Sequence, residues 1–418
     1  MDNLKNYVIR INNNSQTKNL VNDLLGTKIA GFETLENKRG LLFSKSEVER
    51  FIDEEERHDV KVLTKDSSQS LKSMSSGEQK KALLQYLLSS KPDFLVLINP
   101  FDNLDTTTRK KLEKQLISIS KSIILVQLIS RLDDVLPIQA GFFKLDDNHL
   151  EKYSSLHTFL NANQKTKPQF IGTIPAPLHD IEVESDELIN FNKVSVSFDG
   201  RKILNAIDWT IKKGEFWHLI GPNGSGKTTL LSMITGDSHK GYGQDLSIFG
   251  HKKGSGESVW DLKKNIGYYT PSMTDKFKGY HTVENMIISG FYDSIGLYIP
   301  PSDQEKNLVI SWLTLLQLHH KRNTLFLDLT MGEKRLVMTA RAMIKHPPLL
   351  ILDEPTAGLD DKSASLFIAL VNKIAQESDT AIIFVSHRKE TGLYPQFNYV
   401  LEIKPSGSTG STEKEKNS

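Results

Sequence analysis

The sequence predicts an α/β chain built as an unequal tandem repeat of one strand, loop and helix plan. Three observations carry this expectation. A glycine-rich loop, GPNGSGKTT at 221–229, stands between an apolar run and a helical pattern. A second apolar run at 349–352 ends in Asp353 and Glu354. Residues 1–150 hold a worn copy of the same landmarks.

The run at 216–220, FWHLI, predicts a strand buried on both faces. The loop after it fits G-x-x-x-x-G-K-[ST]. LLSMITG then predicts a helix ended by Gly236. In that order, Gly221, Gly224 and Gly226 let backbone N–H groups close around phosphate oxygens, with the helix dipole behind them. Asn223, Ser225 and Thr229 complete the cradle. Lys227 is placed to reach the β and γ phosphates, and Thr228 to put its hydroxyl on Mg²⁺.

LLILDEP predicts a buried strand that delivers Asp353 and Glu354 at its carboxyl end, the edge where open α/β sheets bind ligands. Asp353 suits a Mg²⁺ shell, and Glu354 suits a group that orients or deprotonates attacking water. An acidic pair after a strand also serves as a helix N-cap, so the weight of this reading comes from its company with the phosphate loop. IIFVSHR sets His387 after another apolar strand, 34 residues past Asp353, where an imidazole can hydrogen-bond a γ-phosphate.

These residues, with AGLD at 357–360, resemble the ATP-binding cassette (ABC) ATPases, whose Walker A, Walker B, D-loop and switch histidine occur in this order. The resemblance implies ATP and Mg²⁺ as cofactors and two P-loop NTPase cassettes in tandem, the first reduced and degenerate. It also implies that Phe198, in VSVSF, stacks on adenine; as a bare residue Phe198 is as readily core. In the family a signature, usually LSGGQ, is supplied by the opposite cassette, so the halves are read crosswise. The second half has LTMGE at 329–333, with Thr330 for the serine and Met331 for a glycine. The first half has MSSGE, in which Ser75 and Gly77 match the serine and the second glycine.

Spacing identifies the first half as a cassette. Gly332 to Asp353 and Gly77 to Ile98 are both 21 residues apart; Asp353 to Asp360 and Ile98 to Asp105 are both 7 apart. FLVLINPFDNLD is therefore a strand and D-loop in which Ile98 replaces the metal aspartate and Asn99 the glutamate, and neither offers a carboxylate. With an offset of 210, Asn13, Ser15, Leu20 and Gly26 stand in register with the second phosphate loop and its helix. Thr17 then takes the lysine position, and Asn14 and Gln16 two glycine positions. Near Ser130 and Arg131 there is no switch histidine. Loss follows one composite site, whose two walls are the worn phosphate loop and LTMGE. The other site pairs GPNGSGKTT with MSSGE and keeps its residues. The catalytic set expected from the resemblance is Glu354, His387 and Lys227. One departure stands out: residues 270–279 contain no glutamine where the family places one, and Pro271 or Ser272 occupies that place.

The rest of the chain bounds the function. It has 418 residues, a net charge of +1 and no cysteine, which excludes thiol catalysis and cysteine-bound metal and gives no broad field for nucleic acid. No run of 18 apolar residues is present and the N-terminus lacks an apolar leader, so the expected location is cytoplasmic or peripheral on the inner face of a membrane. The expected domains are a degenerate cassette at 1–160, a proline-bearing linker at 161–187, a complete cassette at 188–404 and a disordered, Ser/Gly/Lys/Glu-rich tail at 405–418. Around DLSIFG an antiparallel strand pair is expected, followed by a helical subdomain. Within the family the second half is most similar to tandem ATPases of the molybdate-transport or photorepair type. That likeness implies a separate membrane-spanning subunit as partner, and cassettes that pair within a monomer. The rival class is a soluble mechanochemical or regulatory factor acting on ribosome or nucleic acid.

Overall fold

The computed structural model describes residues 5–414 except 14, 28, 66–68, 147–148, 164–167, 257 and 276. Its residues group into two units. Unit 1 is Met1–Thr166 together with Gly358–Lys362, and unit 2 is Lys167–Ala357 with Ser363–Ser418.

Unit 1 runs β1 (Asn6–Arg10), α1 (Thr17–Leu25), β2 (Gly40–Phe43), α2 (Lys45–His58), α3 (Ser76–Ser89), β3 (Phe94–Ile98), α4 (Thr106–Ile119), β4 (Ile124–Ile129), β5 (Ala140–Asp146), β6 (His149–Tyr153) and α5 (Leu156–Ala162). The sheet order is β2-β3-β4-β1-β5-β6, parallel except for the β5–β6 pair. Strands β3 and β4 are nearly continuous apolar runs, and β1 is apolar at Tyr7, Val8 and Ile9, because helices cover both faces. Leu20, Val21 and Leu24 of α1 join one apolar cluster against the sheet; Leu83, Leu84 and Leu87 of α3 and Leu112 and Leu116 of α4 join another. Both α3 and α4 start on side-chain caps. Ser75 and Glu78 form a reciprocal capping box, and the Asp105 carboxylate accepts from the N–H groups of Thr107 and Thr108. Such caps contribute about 1 kcal/mol each.

Unit 2 runs β7 (Glu187–Phe198), β8 (Arg201–Lys212), β9 (Phe216–Ile220), α6 (Lys227–Ile234), β10 (Leu246–Ile248), β11 (His251–Lys252), α7 (Val259–Lys264), β12 (Ile266–Tyr269), α8 (Ser272–Asp275), α9 (Val283–Ile288), α10 (Asp303–Leu315), α11 (Met331–Met343), β13 (Leu349–Asp353), α12 (Asp361–Glu377), β14 (Ala381–Ser386), β15 (Phe397–Glu402) and β16 (Thr409–Lys414). Its main sheet has the order β12-β13-β14-β9-β15-β16. Position for position this repeats unit 1, so the repeat extends to topology. A second, antiparallel sheet, β11-β10-β7-β8, has no counterpart among the described residues of unit 1. Its β7–β8 hairpin turns on Asp199 and Gly200, both at positive φ, the backbone that a tight two-residue hairpin requires.

The tail departs from expectation. Residues 409–414 are not disordered; they form β16 and pair antiparallel with β15 over six positions. A one-sided edge strand has a polar composition that reads as disorder, yet here the backbone ladder orders it. Gly410 permits that pairing, because a Cβ there would fall 2.1 Å from the Tyr399 hydroxyl. Residues 415–418 and part of the proline-bearing linker, 164–167, lie outside the described residues.

Candidate functional site

In unit 2 the carboxyl ends of β9 and β13 meet the N-terminus of α6 around one pocket of about 490 Å³. Its lining includes Phe198, Asn223, Gly224, Ser225, Gly226, Lys227, Thr228, Thr229, Asp353 and Glu354, together with Ile203. Gly221 is buried just before the loop, at the end of β9. The sequence-predicted phosphate loop, metal carboxylate and water-directing carboxylate are thus neighbours in space, although about 130 residues of chain separate them.

The loop's shape depends on glycine. Gly226 has φ +95, and a Cβ there would lie 2.5 Å from Leu204 Cδ2, so both conformation and space exclude a side chain. Gly224, at φ +78, has open space beside it. Helix α6 begins at Lys227, whose buried ammonium donates to the carbonyls of Gly221 (2.7 Å) and Pro222 (3.2 Å). Ser225 Oγ is buried and has no hydrogen-bond partner among the described residues. A cation that donates to loop carbonyls, a buried hydroxyl and a helix N-terminus fit an incoming phosphate, which would engage all three.

Asp353 ends β13, and its carboxyl is pushed up to about 6, by burial first and by the neighbouring Glu354 second. The Tyr268 hydroxyl reaches it at 3.5 Å. An oxygen-only donor beside the Thr228 hydroxyl fits Mg²⁺, and a divalent ion would offset the burial that raises this carboxyl. Glu354 has φ +51, a left-handed backbone that glutamate rarely adopts. Its N–H bonds the Val385 carbonyl at 3.0 Å, and its carboxylate lies 2.8 Å from His387 Nδ1. The carboxylate and the imidazole therefore act as a pair.

Unit 1 keeps the backbone of this arrangement and loses the chemistry. Asn99 also has a positive φ, +41, and its N–H bonds the Leu128 carbonyl at 3.0 Å. Its Oδ1 accepts from the N–H and hydroxyl of Ser130, at 2.8 and 3.1 Å, where Glu354 has His387. Ile98 ends β3 without a carboxylate. Helix α1 starts at Thr17 as α6 starts at Lys227, but Gln16 has φ −75 where Gly226 has +95, so the loop follows another path. Asn14 lies outside the described residues. Within unit 1 the Asn13 N–H donates to Asp360 Oδ2 (2.9 Å) and Arg131 Nε to the Leu359 carbonyl (2.8 Å).

The signature residues stand at helix starts. Ser75 caps α3 in unit 1, and Thr330 caps α11 in unit 2, each in a capping box. A Cβ on Gly77 would lie 2.6 Å from Thr108 Cγ2, and one on Gly332 would lie 2.6 Å from Ser363 Oγ. Both glycines are therefore required by packing on the helix after the D-loop, and glycine at this position does not by itself distinguish a working signature from a lost one. Phe198 is 41% exposed at the pocket rim, with the Lys240 ammonium 5.1 Å from its ring, so it is not a core residue. Sequence reasoning missed Tyr268 and Ile203; the pairing of IGYY beside LLILD was the signal for Tyr268.

Comparison with known proteins identifies the family. The ABC transporter family model matches residues 204–357. The chain is 39% identical to the ABC transporter ATP-binding protein ModF of Escherichia coli, over 76% of this chain and 67% of that protein. It is 29% identical to an uncharacterised ABC transporter ATP-binding protein of Schizosaccharomyces pombe, over 77% of this chain and 66% of that one. The chain thus spans about two thirds of the length of both relatives. A model of ribosome-bound archaeal Pelota and ABCE1 is similar over 98% of this chain and 75% of that chain, with TM-score 0.67 and 17% identity, a likeness of fold. The chain belongs to the ABC family of ATP-hydrolysing ATPases and carries two of its cassettes in tandem.

Proposed function

We propose that this ATPase works with one composite ATP site, formed by the unit 2 pocket and the signature at Ser75 and Gly77. The observation that carries this reading is the contrast between halves: Lys227, Asp353, Glu354 and His387 gather in one, and Thr17, Ile98, Asn99 and Ser130 stand in their places in the other. In this reading Phe198 stacks on adenine, and Asn223 to Thr229 hold the phosphates. Lys227 leaves its loop carbonyls for the β and γ oxygens. Thr228 and Asp353 hold Mg²⁺, which when bound neutralises charge on the phosphates. Glu354 directs water in line, while His387 orients that carboxylate and reaches the γ-phosphate. Ser75 closes the site from the other cassette, within a monomer.

The proposed role is to power a separate membrane-spanning chain, from a cytoplasmic or membrane-peripheral position. Similarity to ModF over 76% of the chain supports this; among the described residues no helix is long and apolar enough to cross a membrane. A metal oxyanion such as molybdate is the candidate cargo through that similarity alone. One observation favours a second reading, a soluble regulatory factor. The segment that normally senses a membrane partner is the short helix α8 behind Pro271, without glutamine. Copurification separates the two: a membrane protein in the pull-down supports transport, and ribosomes or nucleic acid support the alternative. The site itself is tested with Glu354→Gln, which is expected to trap one ATP per chain without turnover. Normal turnover, or two trapped nucleotides, contradicts the single composite site.

A further inference from the structure

Each unit carries a cation on its signature helix, at the fifth residue after the N-cap. In α3 this is Lys80, counted from Ser75; in α11 it is Arg335, counted from Thr330. Lys80 Nζ donates to the carbonyls of Pro100 (2.8 Å) and Asp102 (2.6 Å), in the turn between β3 and α4. Arg335 is 2% exposed, and its Nη2 donates to the Ala357 carbonyl at 3.4 Å. Ala357 and Asp102 are equivalent under the same 255-residue offset that relates Arg335 to Lys80 and Gly332 to Gly77. Arg335 Nη1 also donates to Thr274 Oγ1 (3.0 Å), in the segment that lacks the glutamine, and to the hydroxyl of Tyr269, at the end of β12 just before it.

These contacts have a common consequence. The signature helix is fastened to its own D-loop at two points, by the glycine packed on Thr108 or Ser363 and by the cation on the D-loop carbonyl. Arg335 is buried and Lys80 half-buried; desolvating a cation is costly, and a fully solvated lysine or arginine on this helix would avoid that cost. Retaining one in both halves, including the half that lost its carboxylates, is unexplained by catalysis at the cation itself.

We propose that Lys80 and Arg335 are positioning residues that lock each signature helix to the start of its own D-loop, so that the two move as one body when a γ-phosphate engages the signature. For Lys80 the effect on turnover rests on the composite-site reading, because that reading makes Ser75 the working signature. In unit 2 the same lock ties α11, through Arg335, to Thr274, and so supplies a route from the glutamine-less segment to the D-loop.

The test uses the full chain with Lys80→Met, Lys80→Arg and Arg335→Met, read by ATP turnover and by hydrogen exchange. Exchange of the D-loop amides at 101–105 is expected to quicken at least tenfold in Lys80→Met, and that at 357–360 in Arg335→Met, with Lys80→Arg close to the parent. A misplacement on the order of 1 Å costs roughly a hundredfold in rate. Lys80→Met is therefore expected to lose ~10–100-fold in kcat, with KM for ATP changed less than ~3-fold. Unchanged D-loop exchange overturns the lock. Faster exchange with unchanged kcat, while Ser75→Arg abolishes turnover, overturns its role in positioning. Should Ser75→Arg leave turnover intact, the composite-site reading fails and exchange alone decides the lock. If Lys80→Met does not fold, Lys80→Gln, too short to reach both carbonyls, is expected to show the same loss, and full activity in it overturns the proposal.

Discussion

Asp353→Asn should stabilise the nucleotide-free protein while destroying its activity. The Asp353 carboxyl titrates near 6 in the folded chain against 3.8 for an ordinary aspartate, because burial and Glu354 both disfavour its charge. Between those two values the folded state holds a proton that the unfolded state has released, so stability falls as pH rises through that window. Above pH 6 the full cost of a buried carboxylate is present. A shift of this size corresponds to about 3 kcal/mol at most. Asparagine keeps the shape without the charge. In urea melts without nucleotide or Mg²⁺, the variant is expected to gain up to about 3 kcal/mol over the parent at pH 7.5, in the transition that reports unit 2. The gain should shrink toward zero below pH 4. Turnover and stabilisation by Mg²⁺ with ATP should both be lost. A variant that is less stable at pH 7.5, or whose difference from the parent does not change with pH, would refute the electrostatic reading of this site.

The other predictions concern the pocket. Phe198→Ala should raise KM for ATP about 5–100-fold with kcat within about twofold, since base stacking on an aromatic contributes ~1–3 kcal/mol; unchanged KM would remove Phe198 from the site. Gly226→Ala forces a side chain to φ +95 and against Leu204, so ATP binding measured by calorimetry should be lost, with roughly 1–2 kcal/mol of strain in the free protein. Normal affinity in that variant would mean that the loop takes another shape when it binds.

Much of this site was legible because its chemistry is local. GPNGSGKTT and LLILDEP each hold their functional groups within a few residues, and the ends of buried parallel strands bring them to one sheet edge. The reduced first cassette was legible through spacing, since Ile98 and Asn99 keep their distance from Asp105 after losing the chemistry of Asp353 and Glu354. Other features depend on pairing across the chain. Strand β16 takes its order from β15 and from Gly410 beneath Tyr399, none of which its own composition announces. Lys80 and Arg335 look like the solvated face of a charged helix until the D-loop carbonyls appear beside them. The path of the first phosphate loop was hidden for a similar reason: register aligns Gln16 with Gly226, yet only the backbone angles show that the turn itself was not kept.

Ser75→Arg and Met331→Arg place the same bulky cation at the two signatures and leave every pocket residue untouched. Ser75 is a helix cap, so its loss costs about 1 kcal/mol of stability, and Met331 is 37% exposed, so arginine there is tolerated. ATP turnover of the two folded variants, measured side by side, is expected to be abolished by Ser75→Arg and kept within about threefold by Met331→Arg, a difference of at least ~2 kcal/mol in transition-state stabilisation. Equal losses, or a larger loss from Met331→Arg, would contradict a single composite site that pairs the second half's pocket with the first half's signature.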